Sequence, residues 1–171
     1  WEHDGQEIRN FYRPGGRLAS RPQNTDYYFR EGLTYSSVTS RGLSCRFAPS
    51  GFVFDQASNA LFPQGLGVLS CLGVVNSDIA EYFITLNPTV NIVKTDFERI
   101  PMPPDGSDAV ANLVGSAVIA KVVWGSYDET KPAFAAPPSW TDHPNSPVRV
   151  RTYLDNLESE IEDEVYSLYS I

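Results

Sequence analysis

The sequence has 171 residues, the length of one domain, of which 42% are apolar, 12% aromatic and 20% charged. Chains of this size bury roughly 70% of their unfolded surface, so we expect a packed core, and the composition excludes a disordered chain. The net charge of −8 would by itself disfavour nucleic acid as a partner. The longest apolar runs are broken by Asn76 and Lys121 before they reach the ~18 residues of a membrane span, so we expect no membrane partner.

The first residue and the cysteines point to the origin of the chain. It begins with Trp1 and its single methionine is Met102, so we expect a processed or excised piece of a longer protein. Cys45 and Cys71 are too few for a disulfide framework and lack metal-type spacing. We therefore expect a cytoplasmic protein in which both thiols are small buried groups.

Charge is distributed unevenly along the chain. Between residues 9 and 46 every cation is an arginine, and these seven arginines stand against two acids. From residue 128 onward nine acids stand against three basic residues. Guanidinium groups bind phosphate bidentately and read guanine edges, so the arginine-rich segment favours a nucleic-acid site. Surface ion pairs with the acidic tail are an equally open alternative.

The first third of the chain predicts loops and strands. A turn at residues 14–16 lies within a Gly-, Pro- and Arg-rich opening segment. Short β-prone runs, separated by turn residues, then predict an antiparallel meander. These runs are residues 27–29, 33–38, 45–47 and 52–54.

Helical patterns dominate the remainder of the chain. We predict helices at residues 66–75 and 77–86, an extended segment at 90–100, and helices at 108–124 and 148–168. The last helix carries an apolar stripe that we expect to be buried, and Trp124 is expected to pack as well. The predicted fold class is α+β, a small, mostly antiparallel sheet packed with helices and followed by a helical C-terminal tail. We place the boundaries at an α+β domain 1–104, a long helix 105–130, a Pro-rich linker 131–147 and a C-terminal amphipathic helix 148–171.

No catalytic constellation stands out. His3 and His143 lie in a terminal segment and a proline-rich linker, where exposed side chains are expected. Asp96 and Glu98 would face one way on an extended segment and could bind a metal, although a surface or ion-paired role is favoured because no third ligand accompanies them. We expect no catalytic residue and no metal in this chain, and no enzyme activity of its own.

Several segments in a fixed order carry a family resemblance. Together they resemble the target-recognition region of large adenine-specific DNA methyltransferases, above all the BREX phage-defence family PglX and related type II restriction-modification enzymes. The closing segment is similar to the helix and Leu-Tyr-Gly-Leu signature of that family, with Ser170 where glycine is usual. The segments are residues 1–8 (WEHDGQEI), 20–36 (SRPQNTDYYFREGLTYS), 51–55 (GFVFD), 72–77 (LGVVNS), 86–91 (LNPTVN), 96–101 (DFERIP), 121–128 (KVVWGSYD) and 158–171.

The resemblance implies a DNA sequence-recognition module detached from its methyltransferase domain. That domain, with S-adenosylmethionine and adenine-binding loops, would lie before Trp1, so no cofactor is expected within these residues. The expected partners are duplex DNA and the methyltransferase domain of the same parent chain.

The resemblance also directs attention to polar loop residues as the readers of base edges. The candidate DNA-binding residues are Arg13, Arg17, Arg21, Gln23, Asn24, Ser36, Ser37, Ser40, Arg41 and Arg46. For Arg30 and Arg46 a cross-strand ion pair is an equal alternative. Tyr35, Phe52 and Asp55 are expected in core or turn positions.

Two other classes of function remain open. The acidic helices could dock another subunit, which would make the chain a protein-interaction module without DNA contact. A metal-dependent hydrolase built on Asp96 and Glu98 ranks last. Steep salt dependence distinguishes DNA binding from the other two.

Overall fold

A computed structural model describes residues 1–20, 22–39, 42–55, 58–86, 91–135, 137 and 147–170. Three strands form one sheet in the order β2-β1-β3. Strand β1 is central and pairs antiparallel with both neighbours, so that Thr34 lies opposite Arg46 on one side and Ala60 on the other. The strands are β1 (Gly32–Ser36), β2 (Cys45–Ala48) and β3 (Ser58–Leu61).

Two of the four predicted strand runs are wrong. Residues Thr25–Tyr27 form a 3-10 helix, and residues 52–54 lie outside the sheet. At that point the N–H of Phe29 donates to the carbonyl of Phe52 and the N–H of Gly51 donates to the carbonyl of Phe29. This pair of hydrogen bonds between Phe29 and residues 51–52 involves Gly51, whose φ of 101° is a backbone conformation suited to glycine. The third strand, β3, forms over Ser58–Leu61, which the sequence had not predicted as a strand.

Six α-helices accompany the sheet in the described residues. Ser77 and Ser107 accept hydrogen bonds from the N–H groups of Ala80 and Val110, three residues further on, and so cap α3 and α5. The helices are α1 (Gln6–Arg9), α2 (Val68–Val75), α3 (Asp78–Thr85), α4 (Lys94–Phe97), α5 (Asp108–Gly125) and α6 (Pro147–Leu168). With the antiparallel sheet, they confirm the α+β class.

Helix α4 overturns the extended segment predicted at 90–100. The Asp96 carboxylate accepts a hydrogen bond of 2.9 Å from the N–H of Val93 and so closes the first turn of a short helix. Asp96 is 2% exposed, whereas Glu98 is exposed and pairs with Lys94 at 2.9 Å. The two carboxylates therefore do not form the one-sided pair that an extended chain would give.

The core lies between the inner face of the sheet and α2. Leu33 and Tyr35 of β1 belong to one buried cluster with Cys71 and Val74 of α2. Helices α5 and α6 complete this cluster through Val110, Val114 and Val165. The sheet and both long helices therefore share one core.

Helices α5 and α6 also pack along each other. Ala120, Val150 and Leu154 form a second cluster against which Trp124 packs, which confirms the packing role predicted for Trp124 and for the apolar stripe of the last helix. By length and composition α5 would suffice to cross a membrane, unlike the sequence-based expectation. In the described chain it packs against α2 and α6.

Candidate nucleic-acid interface

Arg13 and Arg17 flank one tight turn. The N–H of Arg13 donates to the carbonyl of Arg17 at 2.8 Å, and the N–H of Ala19 donates to the carbonyl of Phe11 at the same distance. Gly15 and Gly16 both have positive φ values, 100° and 76°, which lets the chain reverse between the arginines. Both side chains are exposed. The turn therefore carries two exposed arginines on paired backbone positions.

The other predicted site residues that the structure describes differ in their exposure and in their backbone positions. Gln23 and Asn24 are exposed, and Asn24 adopts a left-handed φ of 54° before the 3-10 helix. Ser36 is exposed at the end of β1, whereas Ser37 is partly buried and its carbonyl accepts the N–H of Ile92 at 2.8 Å. The remaining candidates lie outside the described residues. They are Arg21, Ser40 and Arg41.

The strand register places Ser36 and Arg46 on the same outer face of the sheet. Side chains two apart on a strand share a face, and Leu33 and Tyr35 of β1 point into the core. Thr34 and Ser36 therefore face outward, and Arg46 joins them because it lies opposite Thr34 in the register. Arg46 is exposed.

None of the described arginines of this segment forms an ion pair within the described ranges. The ion pairs there are formed by other cations, Lys94, Arg99, Lys121 and Arg151. The alternatives of surface pairing with the acidic tail and of cross-strand pairs at Arg30 and Arg46 are therefore wrong for these residues. The arginines concerned are Arg9, Arg13, Arg17, Arg30 and Arg46.

Two of these arginines lie on aromatic rings instead. The guanidinium carbon of Arg30 is 5.2 Å from the ring centre of Tyr27, and that of Arg9 is 5.7 Å from the ring of Trp1. Cation–π contact holds a guanidinium in place and leaves its N–H donors available. Within the described ranges, these two cations therefore rest on aromatic rings and have no carboxylate partner.

A row of aromatic rings joins the two cation–π pairs. Trp1 contacts Tyr28 at 4.9 Å between ring centres, Tyr28 contacts Phe54 at 5.2 Å, and Phe54 contacts Phe62 at 5.6 Å. Phe62 in turn contacts Tyr27 at 4.9 Å. Sequence reasoning missed this aromatic row because it placed several of these rings in strands. The available signal was the density of aromatic residues between positions 27 and 62.

A concave site of about 270 Å³ opens beside the aromatic row. Small residues of the outer sheet face, Gly32, Thr34 and Ala60, form its floor. Aromatic side chains stand around it, and Arg30 lies at its rim. The aromatic residues are Phe52, Phe54 and Phe62. Phe47 also lines the site, but it lies opposite Leu33 and packs against the core cluster. We call this site the sheet pocket.

A larger groove of about 890 Å³ lies between β2 and helices α2, α5 and α6. It combines apolar residues with opposite charges, and Lys121 pairs there with Glu158 at 3.0 Å. Glu162 lies in the same groove and accepts the N–H of Asp78 at 3.0 Å. Burial raises the pKa of Glu162 above its ordinary value. We call this site the helix groove.

The cysteines are not placed for thiolate chemistry. Cys45 and Cys71 are free and buried, as the sequence predicted. Burial raises the pKa of Cys45 to about 12 and that of Cys71 to about 11, so both thiols stay protonated at neutral pH. Among the described residues no three His, Cys, Asp or Glu side chains form a group that could hold a metal ion.

Comparison with known proteins relates the chain to adenine-specific methyltransferases. It is 30% identical over 133 residues to the adenine-specific methyltransferase BrxX of Escherichia coli O9:H4 (strain HS). It is 28% identical over 134 residues to the adenine-specific methyltransferase PglX of Lacticaseibacillus casei (strain Zhang). These alignments cover 75% and 76% of this chain.

The similarity concerns a small part of those proteins. The aligned region amounts to 10% of the BrxX sequence and 11% of the PglX sequence, so the chain spans about a tenth of the curated relatives that it matches. No family model matches the chain. The relation to these methyltransferases agrees with the resemblance drawn from the sequence.

Proposed function

We propose that the chain is the DNA sequence-recognition module of an adenine-specific DNA methyltransferase that acts in a restriction-modification or phage-defence system. Its partners would be duplex DNA and the methyltransferase domain of the parent protein. The arginines would contact phosphates and base edges, and the polar residues of the loops would read further bases. The similarity to BrxX and PglX supports the parent class.

The observation that carries the proposal is the set of exposed arginines that form no ion pair with a carboxylate in the described part of the chain. Arg13 and Arg17 stand together on one turn, and Arg46 lies on the outer sheet face with Ser36. Cations on an acidic protein are expected to pair with its carboxylates, yet the ion pairs in the described part of the chain lie elsewhere. Free guanidinium groups in a chain of net charge −8 favour a phosphate partner.

Fluorescence anisotropy of the full chain on randomised duplex DNA, titrated from low to physiological salt, tests the proposal. Affinity should fall by about 0.9 log units per log unit of salt for each phosphate that is neutralised. Rounds of selection on the same DNA should leave a preferred sequence. Binding that does not change with salt, or the absence of binding at low salt, would contradict the proposal.

A matched pair of variants locates the contact. Arg13→Gln and Arg17→Gln should each lower the salt slope by about one if they neutralise a phosphate, or relax one position of the selected site if they read a base. Arg151→Gln removes the same charge from α6, where Arg151 pairs with Asp155 at 2.9 Å. We expect this control to bind as the unchanged chain does. An equal loss of DNA affinity in all three variants would show that the effect depends only on the net charge of the chain.

S-adenosylmethionine would be bound by the methyltransferase domain of the parent protein. Open α/β sheets bind nucleotide-like ligands at the carboxyl ends of parallel strands. The described strands are all antiparallel, which supports placing the cofactor in the methyltransferase domain, and the chain itself is not proposed to transfer a methyl group.

A second candidate function is a protein-interaction module without DNA contact. The observation in its favour is the helix groove, whose volume of about 890 Å³ exceeds that of the sheet pocket and whose walls combine apolar residues with charged residues of both signs. The acidic face of α6 would then meet a basic partner. Failure of all DNA binding at low salt would favour this function.

A further inference from the structure

The sheet pocket lies on the outer face of the sheet, opposite the core. Gly32, Thr34 and Ala60 of its floor belong to the strand face that points away from Leu33 and the buried cluster. Outward positions of a strand usually carry longer polar residues. Here the residues are small, and the side chains around them are aromatic. The site is therefore open to a ligand.

The most exposed ring of the pocket is held at a fixed position by the backbone. Phe52 is 64% exposed, so its ring is accessible to a ligand. Its carbonyl accepts the N–H of Phe29 at 2.9 Å, and the preceding Gly51 donates to Phe29 at 3.1 Å. These two bonds fix the segment that carries the ring before any ligand arrives, so little ordering entropy remains to be lost on binding.

Size and charge define the ligand. A volume of about 270 Å³ falls just below the range of about 300–1,000 Å³ typical of drug-sized ligands, so it suits one flat ring system. Arg30 stands at the rim, ordered on Tyr27 and without an ion pair among the described residues. A flat aromatic group joined to an anion satisfies both features. A nucleotide has this composition, whereas an aromatic side chain of a protein carries no anion.

We propose that the sheet pocket binds one unstacked base of the DNA, with Arg30 on the adjoining phosphate. This inference rests on the proposed recognition of duplex DNA and adds a base site outside the methyltransferase domain. A base must leave the helical stack to enter the pocket, which costs a few kcal/mol in a paired duplex and less where the base has no partner. The chain should therefore prefer a duplex with a single-nucleotide bulge.

The test compares a paired duplex with the same duplex carrying one bulged 2-aminopurine. Anisotropy gives both affinities, and the fluorescence of 2-aminopurine falls when the base stacks on a ring. We expect tighter binding of the bulged duplex and quenching on binding. Phe52→Ala should lower the affinity for the bulged duplex about tenfold, in line with base–aromatic stacking, and should leave the paired duplex unchanged.

Two further variants test whether a loss of the bulge preference comes from the pocket itself or from the removal of any exposed ring. Ala60→Leu fills the pocket from its floor without removing a ring, and should also abolish the preference for the bulge. Tyr82→Ala removes an equally exposed aromatic ring, 62% exposed on α3, and should retain it. Thermal denaturation followed by circular dichroism establishes that each variant is folded.

The outcomes separate this inference from the proposed function. Equal affinity for both duplexes, or a bulge preference that survives in Phe52→Ala and Ala60→Leu, would overturn the base site and leave DNA recognition standing. Binding of neither duplex at low salt would overturn both proposals. The ligand of the sheet pocket would then be an aromatic side chain of a protein partner.

Discussion

The hydroxyl of Tyr169 donates a hydrogen bond to the carbonyl oxygen of Pro101, 68 positions earlier in the chain. Tyr169 follows directly after α6, and Pro101 follows Ile100, which is 4% exposed. Burial raises the pKa of Tyr169, so its hydroxyl keeps the donated proton throughout the neutral range. The bond joins two segments that carried the family resemblance separately, the Ile-Pro element and the closing helix.

Tyr169→Phe should lower the free energy of unfolding by about 0.5–1.5 kcal/mol. The substitution removes only the hydroxyl and leaves the ring to pack against the core cluster. Urea denaturation of both chains gives the difference. Tyr153→Phe removes a hydroxyl from a ring that is 50% exposed on the same helix, and should leave the midpoint unchanged. Equal midpoints for all three chains would show that the Tyr169 bond adds nothing to stability.

Ser170→Gly should raise the free energy of unfolding by about 0.5–1 kcal/mol. Ser170 has a φ of 58°, in the left-handed region, at the point just beyond α6 where helices commonly end with glycine. A side chain in this conformation costs roughly 1–2 kcal/mol, of which the greater freedom of unfolded glycine offsets about 0.5–1. The resembling family has glycine at this position of its signature.

Ser167→Gly is the control for Ser170→Gly. Ser167 lies within α6, where glycine costs about 0.5–1 kcal/mol in helix propensity. Thermal denaturation should therefore shift the two variants in opposite directions. A fall in the melting temperature of both would mean that the left-handed backbone at Ser170 carries no strain.

Gly73→Ala should destabilise the chain by about 1–3 kcal/mol, the usual cost of overpacking a core. A Cβ atom at Gly73 would lie 2.7 Å from Cγ1 of Val110 and 3.1 Å from Cγ2 of Val114. Helices α2 and α5 can approach this closely only because Gly73 has no side chain. Urea denaturation measures the loss, and Val110→Ala in the same chain should restore part of it by making room.

Gly115→Ala is the matched control on the facing helix. A Cβ atom there would meet only Cδ1 of Leu69, at an ordinary contact distance of 3.5 Å. The gain in helix propensity should then stabilise the chain by roughly 0.8–1 kcal/mol. Destabilisation of similar size in Gly115→Ala would refute the argument from close packing at Gly73.

The four longer helices, α2, α3, α5 and α6, could be predicted because their signals are local, whereas the four-residue helices α1 and α4 were missed. Ser77 and Ser107 mark the starts of α3 and α5, because their side chains accept hydrogen bonds from N–H groups only three residues further along the chain. Asn76 illustrates what could not be predicted. Its amide accepts the N–H of Cys45 at 2.8 Å and donates to the carbonyl of the same residue at 3.0 Å. These two hydrogen bonds pair Asn76 with the edge of β2, 31 positions away in the chain. The residues around Asn76 form no pattern that predicts this long-range contact.

The candidate site also has one part that the sequence predicts and one part that it does not. Exposure of Arg13 and Arg17 follows from a Pro-Gly-Gly turn that local sequence predicts. The sheet pocket depends instead on how residues 52–54 fold back beside the outer face of β1, and the β-prone composition of that run pointed to a strand. A strand would have placed Phe52 and Phe54 on one face, without the contacts to Phe62 and Tyr28 that build the aromatic row.

The stability of the chain should depend on the protonation of Glu162. Burial raises the pKa of this carboxyl above its ordinary value of 4.5, although the hydrogen bond from the Asp78 N–H acts against the shift. The folded chain therefore binds the proton more tightly than the unfolded chain. The contribution of Glu162 to the free energy of unfolding is then largest below pH 4.5 and falls as the pH rises through the raised pKa.

Glu162→Gln keeps an oxygen that can accept the Asp78 N–H and removes the titrating charge. Urea denaturation of both chains, from below pH 4.5 to neutral pH, should show the unchanged chain losing stability relative to Glu162→Gln as the pH rises, with no further change beyond the raised pKa. Glu160→Gln, at an exposed position of the same helix, provides the baseline. A difference that grows in favour of the unchanged chain would mean that the bond between α6 and the start of α3 outweighs the burial of the charge.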